Sequence, residues 1–446
     1  MGKTIIISNR LPVKIEQENN ELVYKASEGG LATGLNSVFK QGNNLWVGWP
    51  GLAIEKSQEQ EVDSNLIKQH MKPVFLSSEE IEDFYEGFSN ETLWPNFHYF
   101  NQYTVYKEEL WLAYQRVNQK FAEILSEELE DDDTVWIHDY QLLLLPQLIR
   151  SISPNATIGF FLHIPFPSYE SFRLLPWRRA LLNGMLGADF LGFHTYDDMR
   201  HFLSSVNRLA GLGNSNGTIK VKNRLIKADA LPMGIDYEKY AASAQDPETL
   251  AREARYRKSI GTVKLILSID RLDYSKGITQ RLRAFELFLS KYPYFKEKVS
   301  LFMVVVPSRD SVSKYKQLKE EIDLLVGRIN GQFSKLNWTT IHYVYRSFPL
   351  PALSAFYRIS DVALVSPMRD GMNLVCKEYV ASRLDKKGVL ILSEMAGASK
   401  ELSDAIIVNP NDIHQLVEAM HKALTMPEEL QIESINSMQK SLKRYN

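Results

Sequence analysis

The sequence predicts two α/β domains, each a doubly wound parallel sheet, that face a central cleft. Short runs rich in Val, Ile, Leu and Phe alternate with longer helix-like stretches along the chain. These runs are continuously apolar, which is typical of parallel strands that are covered by helices on both faces. The length of 446 residues suits two large domains, each with its own core.

The apolar runs locate the predicted strands, and amphipathic stretches such as 107–129 and 314–328 locate helices between them. The strands are predicted over 4–8, 74–76, 134–137, 157–162, 189–193, 264–269, 301–306, 340–345, 361–365, 389–393 and 405–408. Doubly wound sheets bind ligands beyond the carboxyl ends of their strands. The residues that follow each strand are therefore the candidate site residues.

The alternation is interrupted once, at residues 210–235. This segment holds a turn rich in Gly and Asn between short alternating stretches, which predicts a β-hairpin that leads into a linker near Pro232. We therefore expect an N-terminal domain over 1–232 and a C-terminal domain over 233–430. A charged helix is expected over 431–446, and it ends without a capping signal.

The composition excludes several classes of protein. The chain has 52 basic and 54 acidic residues, and the resulting net charge of −2 argues against a dedicated nucleic-acid-binding protein. The single cysteine, Cys376, excludes a disulfide framework and a CxxC metal site. No apolar run is long enough to span a membrane, and the N-terminus lacks the layout of a signal peptide. We therefore expect a cytoplasmic protein.

The first candidate anion site follows the first predicted strand. Arg10 lies at the carboxyl end of that strand, where its guanidinium can contact a phosphate through two hydrogen bonds. Gly29 and Gly30 follow and open a predicted helix, so that backbone amides can approach a phosphate closely. A tight turn beside a surface arginine would show the same residues and is the alternative interpretation.

Further cations follow two strands of the second half. Arg271 and Lys276 suit a diphosphate there, and they would also stabilise the charge on a departing nucleoside diphosphate. Arg309 follows the next strand in the same way. Ion pairs within the loops, of Arg271 with Asp273 or of Arg309 with Asp310, are the alternative.

The segment after strand 361–365 combines a helix start with two carboxylates. A helix is predicted to begin near Asn373, and the free amides of its first turn could hold phosphate oxygens. Glu378 lies where its carboxylate can reach a ribose diol, and Asp370 can bind sugar hydroxyls before the helix. Both carboxylates could instead only favour the N-terminal half of the helix. Cys376 is expected in the core.

Polar side chains among aromatic residues follow two neighbouring strands of the first half. His138 and Asp139 end one strand, and His163 follows the next. Such a set suits a sugar, because rings can stack on its faces while carboxylate and imidazole bind its hydroxyls. The same three residues could also ligate a metal, although no further paired ligand accompanies them.

Segments of the first half that are rich in Pro and Gly carry further aromatic residues. We expect Trp46, Trp49, Tyr85 and Trp94 in loops that form exposed aromatic walls, with core positions for the tryptophans as the alternative. Together, the cations, helix starts and sugar-binding candidates predict a transferase that uses a nucleotide sugar and a phosphorylated acceptor. The first domain would bind the acceptor, and the second would bind the donor.

The motifs together indicate a family. The sequence resembles the trehalose-6-phosphate synthases, which are retaining glycosyltransferases with two Rossmann-like domains (the GT-B architecture). The combination of RLDYSKG (271–277) with RDGMNLVCKEY (369–379) is highly specific for this family. The motifs are SNRLPV (8–13), GGLATGL (29–35), WVGWPG (46–51), LWPNFHY (93–99), WIHDYQLLLLP (136–146), GFFLHIPFPS (159–168), LPMGID (231–236), RLDYSKG (271–277), PSRD (307–310) and RDGMNLVCKEY (369–379).

The resemblance implies a role for each candidate residue. The residues implied to bind UDP-glucose are Gly29, Gly30, Arg271, Lys276, Asp370, Asn373, Leu374, Val375 and Glu378, with His163 on the glucose. The residues implied to bind glucose 6-phosphate are Arg10, Trp49, Tyr85, Trp94, Asp139 and Arg309. The residues implied to act in catalysis are Arg271, Lys276, Asp370, His163 and Asp139.

The implied reaction gives α,α-trehalose 6-phosphate and UDP, with retention and without an established protein nucleophile. The acceptor hydroxyl attacks the face that the leaving diphosphate vacates, and the phosphate helps to accept its proton. Arg271 and Lys276 neutralise the charge, so we expect neither a metal nor another cofactor. Uridine is implied by the resemblance alone, and guanosine or adenosine donors remain alternatives.

The C-terminal helix of the family usually continues into a Trp-containing segment that packs back on the first domain, whereas this chain stops at Asn446. The resemblance therefore leaves open a truncated chain or a longer protein with a fused phosphatase. It also leaves open a separate phosphatase partner and a homo-oligomer. No nucleic-acid or membrane partner is expected.

Two alternative functions remain at this point. A related transferase that uses glycerol 3-phosphate would share the donor site and differ in the acceptor site. A catalytically silent regulatory subunit of a trehalose-synthesis complex would be expected to lack some of the donor-site residues. The four that are most informative are all present: Arg271, Lys276, Asp370 and Glu378.

Overall fold

The computed structural model describes residues 2–18, 21–26, 35, 39, 44–130, 132–309 and 312–444. The chain divides into two compact units, Met1–Pro232 and Met233–Asn446. Among the described residues, none of the helices combines the length and the apolar composition that crossing a bilayer requires. Each unit is an α/β structure built around its own sheet.

The first unit contains eleven described strands. They are β1 (Thr4–Arg10), β2 (Val13–Glu18), β3 (Glu21–Ala26), β4 (Leu45–Trp49), β5 (Met71–Pro73), β6 (Thr134–His138), β7 (Thr157–Leu162), β8 (Phe190–Phe193), β9 (Asn214–Ser215), β10 (Thr218–Val221) and β11 (Arg224–Ala230). Nine of these form one sheet in the order β5-β4-β1-β6-β7-β8-β11-β10-β9, and β2 pairs with β3 as a separate hairpin. The pairs from β5 to β11 are parallel, and β10 and β9 extend the sheet in antiparallel fashion.

Helices connect the parallel strands of the first unit. They are α1 (Lys56–Ile67), α2 (Ser78–Glu80), a π-helix (Ile81–Leu93), α3 (Trp94–Phe97), α4 (Glu108–Glu128), α5 (Leu145–Ile152), α6 (Tyr169–Phe172), α7 (Arg178–Met185) and α8 (Tyr196–Ala210), with 3₁₀ turns at Asn101–Tyr103 and Tyr140–Leu142. Local chemistry sets the bounds of α8. The Thr195 side chain accepts a hydrogen bond from the Asp198 amide at its start, and Gly211 ends it at φ 70°.

The second unit contains a six-stranded sheet whose pairs are all parallel. Its strands are β12 (Lys264–Arg271), β13 (Val299–Val306), β14 (Ile341–Tyr345), β15 (Val362–Val365), β16 (Val389–Ser393) and β17 (Ile406–Val408). Their order in the described part is β14-β13-β12-β15-β16-β17. Strands β13 and β14 are added on one side of β12, whereas β15, β16 and β17 are added on the other side, so the strand order reverses between β12 and β15. The strand order of the first unit reverses in the same way between β1 and β6. Sheets of this kind bind ligands at such a reversal, beyond the carboxyl ends of the strands.

The second unit has a hydrophobic core on each face of its sheet. Along β12, Ile266 belongs to one core, while Leu265 and Leu267 belong to the other. Successive side chains of a strand point to opposite faces, so a strand that is covered on both sides must be apolar at every position. This is the physical reason for the continuous apolar runs in the sequence.

Helices contribute to both of these cores. They are α9 (Tyr237–Ser243), α10 (Pro247–Ile260), α11 (Ile278–Lys291), α12 (Ser313–Phe333), α13 (Leu350–Ile359), α14 (Leu374–Ser382), α15 (Ile413–Thr425) and α16 (Glu428–Arg444), with 3₁₀ turns at Tyr274–Lys276, Pro293–Phe295 and Gly397–Lys400. The C-terminal helix, predicted over 431–446, begins earlier, at Glu428. Its residues Ile435, Met438 and Leu442 are buried in the same core as α14.

The predicted fold class is confirmed, and most predicted strands lie within a few residues of observed ones. The predicted strand over 74–76 is wrong, because the strand is Met71–Pro73, at the edge of the sheet where a proline is tolerated. Strand β4 and the hairpin of β2 and β3 were not predicted from the sequence. The hairpin predicted within 210–235 is confirmed as β10 and β11.

Gly277 offers a test of the fold at the junction between a 3₁₀ turn and α11. Its φ is +67°, and a Cβ there would lie 2.6 Å from the Ser366 carbonyl oxygen. We expect Gly277→Ala to lower the free energy of unfolding by about 2 kcal/mol or more, from left-handed strain plus the steric clash. The measurement is urea unfolding followed by circular dichroism.

Gly327, inside α12, provides the matched control. A Cβ at this position would meet nothing within 4 Å. Gly327→Ala should therefore raise the free energy of unfolding by up to about 1 kcal/mol, since glycine is the more flexible residue in the unfolded chain. Equal effects of the two substitutions would contradict the described backbone at Gly277.

Candidate active site

In the first unit, the guanidinium of Arg10 lies over two aromatic rings at the carboxyl end of β1. Its Cζ is 4.7 Å from the ring centroid of Trp49 and 5.0 Å from that of Tyr85. Parallel pairing sets Arg10 opposite Trp49, and the π-helix supplies Tyr85. Because such cation–π contacts orient the guanidinium without neutralising its charge, this arrangement suits an anion next to an aromatic surface.

The aromatic residues that we expected in exposed loops lie in regular structure, so that prediction is wrong. Trp46 and Trp49 belong to β4 and are 0% and 2% exposed. Tyr85 lies in the π-helix, and Trp94 begins α3 and is buried. The strand ends at Trp49, whose Nε1 donates a hydrogen bond of 2.9 Å to the carbonyl oxygen of Leu52. The alternative of core positions for the tryptophans is therefore correct.

Three histidines meet where β6, β7 and β8 end. His138 is the last residue of β6, while His163 and His194 directly follow β7 and β8. The Nδ1 atom of His138 lies 3.0 Å from the Nε2 atom of His163. The ring centroids of His163 and His194 are 5.6 Å apart. His194 was not among the predicted site residues, although its sequence signal is the same as that of His163: a histidine directly after a buried strand.

Burial favours the neutral form of His138 and of His163. Burial lowers the pKa of His138 to about 3. Burial also lowers the pKa of His163, and the neighbouring His138 and His194 lower it further. A neutral imidazole offers one donor and one acceptor, which suits a sugar hydroxyl. In the described part of the chain, no group of three or more His, Cys, Asp or Glu residues is arranged to hold a metal ion.

Asp139 connects the ends of β6 and β7. Its Oδ1 accepts a hydrogen bond of 3.1 Å from the His163 amide, and its own amide donates to the Phe161 carbonyl. Its φ of 77° is unusual for a residue with a side chain, and such strained positions cluster at functional sites. Trp94 lies close by, with its ring centroid 5.6 Å from that of Tyr140.

In the second unit, the reversal of strand order brings Lys276 and Asp370 together. Lys276 Nζ lies 2.7 Å from Asp370 Oδ2, and the two side chains are 10% and 14% exposed. Asn373 Nδ2 donates to the same oxygen at 3.1 Å. A cation expected to bind a diphosphate therefore contacts a carboxylate expected to bind a sugar.

Arg271 ends β12 and is exposed. The ion pair between Arg271 and Asp273 that we considered as an alternative is absent from the described part of the chain. Asp273 Oδ2 instead accepts hydrogen bonds from Arg309 Nη1 at 3.1 Å and from Tyr315 Oη at 2.9 Å. Arg309 thus lies in the second unit with its guanidinium engaged, while Asp310 lies outside the described residues.

Helix α14 begins as expected from its sequence. Asn373 precedes it at φ 74°, and its Oδ1 accepts a hydrogen bond from the Cys376 amide at 3.3 Å. The helix starts at Leu374, so the amides of Leu374 and Val375 belong to the first turn, which has no acceptors within the helix. Cys376 is fully buried, and its predicted core position is confirmed.

Glu378 is held by tyrosines from other helices. Tyr357 of α13 donates its hydroxyl to Glu378 Oε2 at 2.6 Å. Burial raises the pKa of Glu378, while hydrogen bonds from Tyr357 and from Tyr240 of α9 oppose that rise. Neither tyrosine was predicted as a site residue, because nothing in their local sequence distinguishes them from core residues. Of the predicted site residues, Gly29 and Gly30 lie outside the described residues.

The comparison with known families identifies the chain. The model of glycosyltransferase family 20 matches residues 2–446. The chain is 46% identical over 452 residues to the bifunctional trehalose-6-phosphate synthase/phosphatase of Thermoproteus tenax, covering 99% of this chain and 61% of that protein. It thus spans about three fifths of that relative's length. It is 44% identical over 435 residues to the UDP-forming alpha,alpha-trehalose-phosphate synthase of Candida albicans, covering 96% of this chain and 91% of that protein.

A solved structure is similar over the whole chain. The alpha,alpha-trehalose-phosphate synthase (UDP-forming) from Burkholderia xenovorans, in complex with glucose-6-phosphate, matches with a TM-score of 0.90. Its sequence is 34% identical, and the match covers 100% of this chain and 97% of that chain. Because the family model matches nearly every residue and the relatives agree with it, this chain belongs to glycosyltransferase family 20.

Proposed function

We propose that this chain transfers glucose from UDP-glucose to glucose 6-phosphate with retention, and that it forms α,α-trehalose 6-phosphate and UDP. The observation that carries the proposal is the contact of Lys276 with Asp370, after the strand that ends at Arg271. It joins a cation proposed to bind the diphosphate to a carboxylate proposed to bind the sugar, at the strand reversal of a family 20 glycosyltransferase. The names of the relatives, which are UDP-forming trehalose-phosphate synthases, support the choice of substrates.

The second unit supplies the donor-binding groups in this proposal. Arg271 and Lys276 bind the diphosphate, and the first-turn amides of α14 contact the donor. Glu378, oriented by Tyr357, accepts hydrogen bonds from the ribose diol. Asp370 accepts hydrogen bonds from glucose hydroxyls, and the neutral imidazole of His163, from the first unit, contributes another.

The first unit supplies most of the acceptor-binding groups. Arg10, held over the rings of Trp49 and Tyr85, binds the phosphate of glucose 6-phosphate. Trp94 and Asp139 bind its sugar ring. Arg309 of the second unit adds a further contact with the phosphate in this proposal.

The chemical step breaks the bond between glucose C1 and the β-phosphate oxygen and forms a bond from C1 to the acceptor hydroxyl oxygen. Both events occur on the same face of the sugar, which gives retention. The hydroxyl proton passes to an oxygen of the leaving phosphate. Arg271 and Lys276 stabilise the negative charge that develops there, so the proposed reaction uses no metal or other cofactor.

We place this reaction in the cytoplasm, where the single buried cysteine would remain reduced. The name of the Thermoproteus tenax relative joins a synthase to a phosphatase. We accordingly propose that a phosphatase, fused or separate, removes the phosphate from the product.

The proposed activity is tested by measuring release of UDP from UDP-glucose with two acceptors. Release with glucose 6-phosphate and not with glycerol 3-phosphate is expected, together with a product in which both anomeric carbons of the single glycosidic linkage are α by NMR. Release with glycerol 3-phosphate alone would overturn the acceptor site and retain the donor site. No UDP binding in a calorimetric titration would indicate a silent regulatory relative instead.

Arg271 is expected to act mainly on turnover. Arg271→Ala should lower kcat by about 10²–10³-fold, because its charge matters most while the diphosphate departs, and should change the KM for glucose 6-phosphate much less. Steady-state kinetics with varied acceptor measure both quantities. Arg283→Ala is the control, since Arg283 lies in a surface ion pair with Glu321. A raised acceptor KM with unchanged kcat would contradict the assigned role.

Arg10 is expected to act mainly on acceptor binding. Arg10→Ala should raise the KM for glucose 6-phosphate roughly 10- to 100-fold, which corresponds to the loss of a charged hydrogen bond, while UDP affinity stays unchanged. Arg208→Ala is the matched control, since the Arg208 guanidinium also lies over a tyrosine ring, 4.8 Å from the Tyr169 centroid. If Arg10→Ala abolished UDP binding and left the acceptor KM unchanged, the division of roles would be wrong.

Asp370 is expected to oppose UDP binding while it promotes turnover. Asp370→Asn removes the negative charge beside Lys276, so UDP affinity should rise by about fivefold or more, since even an exposed ion pair contributes up to about 1 kcal/mol and this pair is largely buried. kcat should fall, because the amide binds sugar hydroxyls less strongly than a carboxylate. Titration calorimetry and kinetics measure the two effects.

Asp323→Asn is the control for this substitution, since Asp323 forms an exposed ion pair with Lys319 in α12. It should leave both UDP affinity and kcat unchanged. Weaker UDP binding by Asp370→Asn would mean that Asp370 supports the diphosphate site rather than competing for Lys276.

A further inference from the structure

Arg281, in α11, carries a buried guanidinium that none of the proposed binding roles uses. The residue is 0% exposed. Its Nη1 lies 2.5 Å from Asp270 Oδ2 and also donates to Ser268 Oγ, and its Nη2 donates to the carbonyl oxygen of Lys276. One side chain therefore contacts strand β12 and the 3₁₀ turn that follows it.

These contacts link the end of β12 to Lys276, so they constrain the segment between them, which carries the donor-binding cations. Ser268 and Asp270 belong to β12, and Lys276 ends the turn Tyr274–Lys276. A planar guanidinium with five donors can hold such partners at fixed relative positions. The Arg281 side chain thereby fixes the position of the Tyr274–Lys276 turn relative to the end of β12.

The two cations of this segment differ in how they are held. Arg271 is the last residue of β12 and pairs in register with Val306 of β13, so the sheet itself fixes its backbone. Lys276 lies outside the sheet, and the Arg281 guanidinium holds its carbonyl oxygen. Loss of the Arg281 contacts should therefore affect Lys276 more than Arg271.

A contribution to the stability of the fold does not by itself explain why Arg281 and Asp270 are buried as an ion pair. Burying an arginine and a carboxylate costs desolvation energy, and a well-packed apolar pair of similar size is often at least as stable. Burial raises the pKa of Asp270, while Arg281 and Lys276 oppose that rise. By pairing with Asp270, Arg281 also offsets a negative charge close to the Lys276 ammonium.

We infer that Arg281 is a positioning residue for donor binding, which orients Lys276 toward the diphosphate by holding its carbonyl oxygen and by neutralising Asp270. This inference rests on the proposed function, because Lys276 must bind the diphosphate for its position to matter. Arg281 is 0% exposed, so we do not assign it a direct contact with the substrate.

The first test compares Arg281→Lys with the control Arg283→Lys in titrations with UDP and in steady-state kinetics. Lysine retains a charge for Asp270 but lacks the planar fork of donors. Arg281→Lys should raise the Kd for UDP about 10-fold and lower kcat by about 10- to 100-fold, as expected when a catalytic group is misplaced by about 1 Å. The KM for glucose 6-phosphate should stay within about twofold. Arg283→Lys should change none of these.

The second test separates positioning from general structural support through two double-mutant cycles. In a Lys276→Ala background, Arg281→Lys should change the Kd for UDP by less than about twofold, because the residue through which it acts is gone. In an Arg271→Ala background, its effect of about tenfold should remain. Equal effects in both backgrounds would overturn the inference in favour of a merely structural role.

A second variant keeps the test decisive if Arg281→Lys does not fold, as judged by circular dichroism. Asp270→Leu combined with Arg281→Met removes both charges and leaves no unpaired charge in the core. It should fold and show the same loss of UDP affinity. Normal UDP affinity in this double variant would overturn the inference alone. Absence of UDP binding by the wild-type chain would overturn the proposed function and the inference with it.

Discussion

The pairing of β12 with both β13 and β15 is the constraint on which the candidate donor site depends. β13 follows β12 in the chain, whereas β15 arrives on the opposite side, so the segments after β12 and β15 lie side by side. Lys276 and Asp370, which are 94 positions apart in the sequence, meet at 2.7 Å as a result. In the first unit β1 pairs in the same way with β4 and β6. The sheet topology therefore determines which loops lie together at the candidate site, independently of the side chains that they carry.

Buried ion pairs constrain the backbone near these loops more strictly than the packing of the apolar cores does. Arg281 and Asp270 meet beneath the Lys276 turn, and Lys377 of α14 pairs with Glu401 at 2.7 Å while it also donates to the Met233 carbonyl. Apolar packing is non-directional, whereas an unpaired charge in the interior costs several kcal/mol. Such pairs therefore permit few alternative arrangements of the backbone around them.

The two units present different electrostatic environments at their strand ends. In the first unit, burial keeps the imidazoles of His138 and His163 neutral, and Arg10 supplies positive charge over aromatic rings. In the second unit, the strand ends carry both cations and carboxylates at short distance. Neutral hydrogen-bonding groups suit sugar hydroxyls, and cations such as Lys276 suit a diphosphate whose negative charge grows during the reaction. The proposed division between acceptor and donor follows from this difference.

The sequence by itself determined the fold class, most of the strands, the boundary near Pro232 and the residues that follow each strand. These features depend on apolar runs and turn residues, which act over a few neighbouring positions. Only the tertiary structure decided that Trp49 is buried beneath Arg10, that Asp273 pairs with Arg309, and that His194 joins the other histidines. It also decided the contacts of Tyr357 with Glu378 and of Arg281 with the Lys276 turn. These contacts join segments whose proximity is set by sheet order and helix packing, and no local pattern in the sequence carries that information.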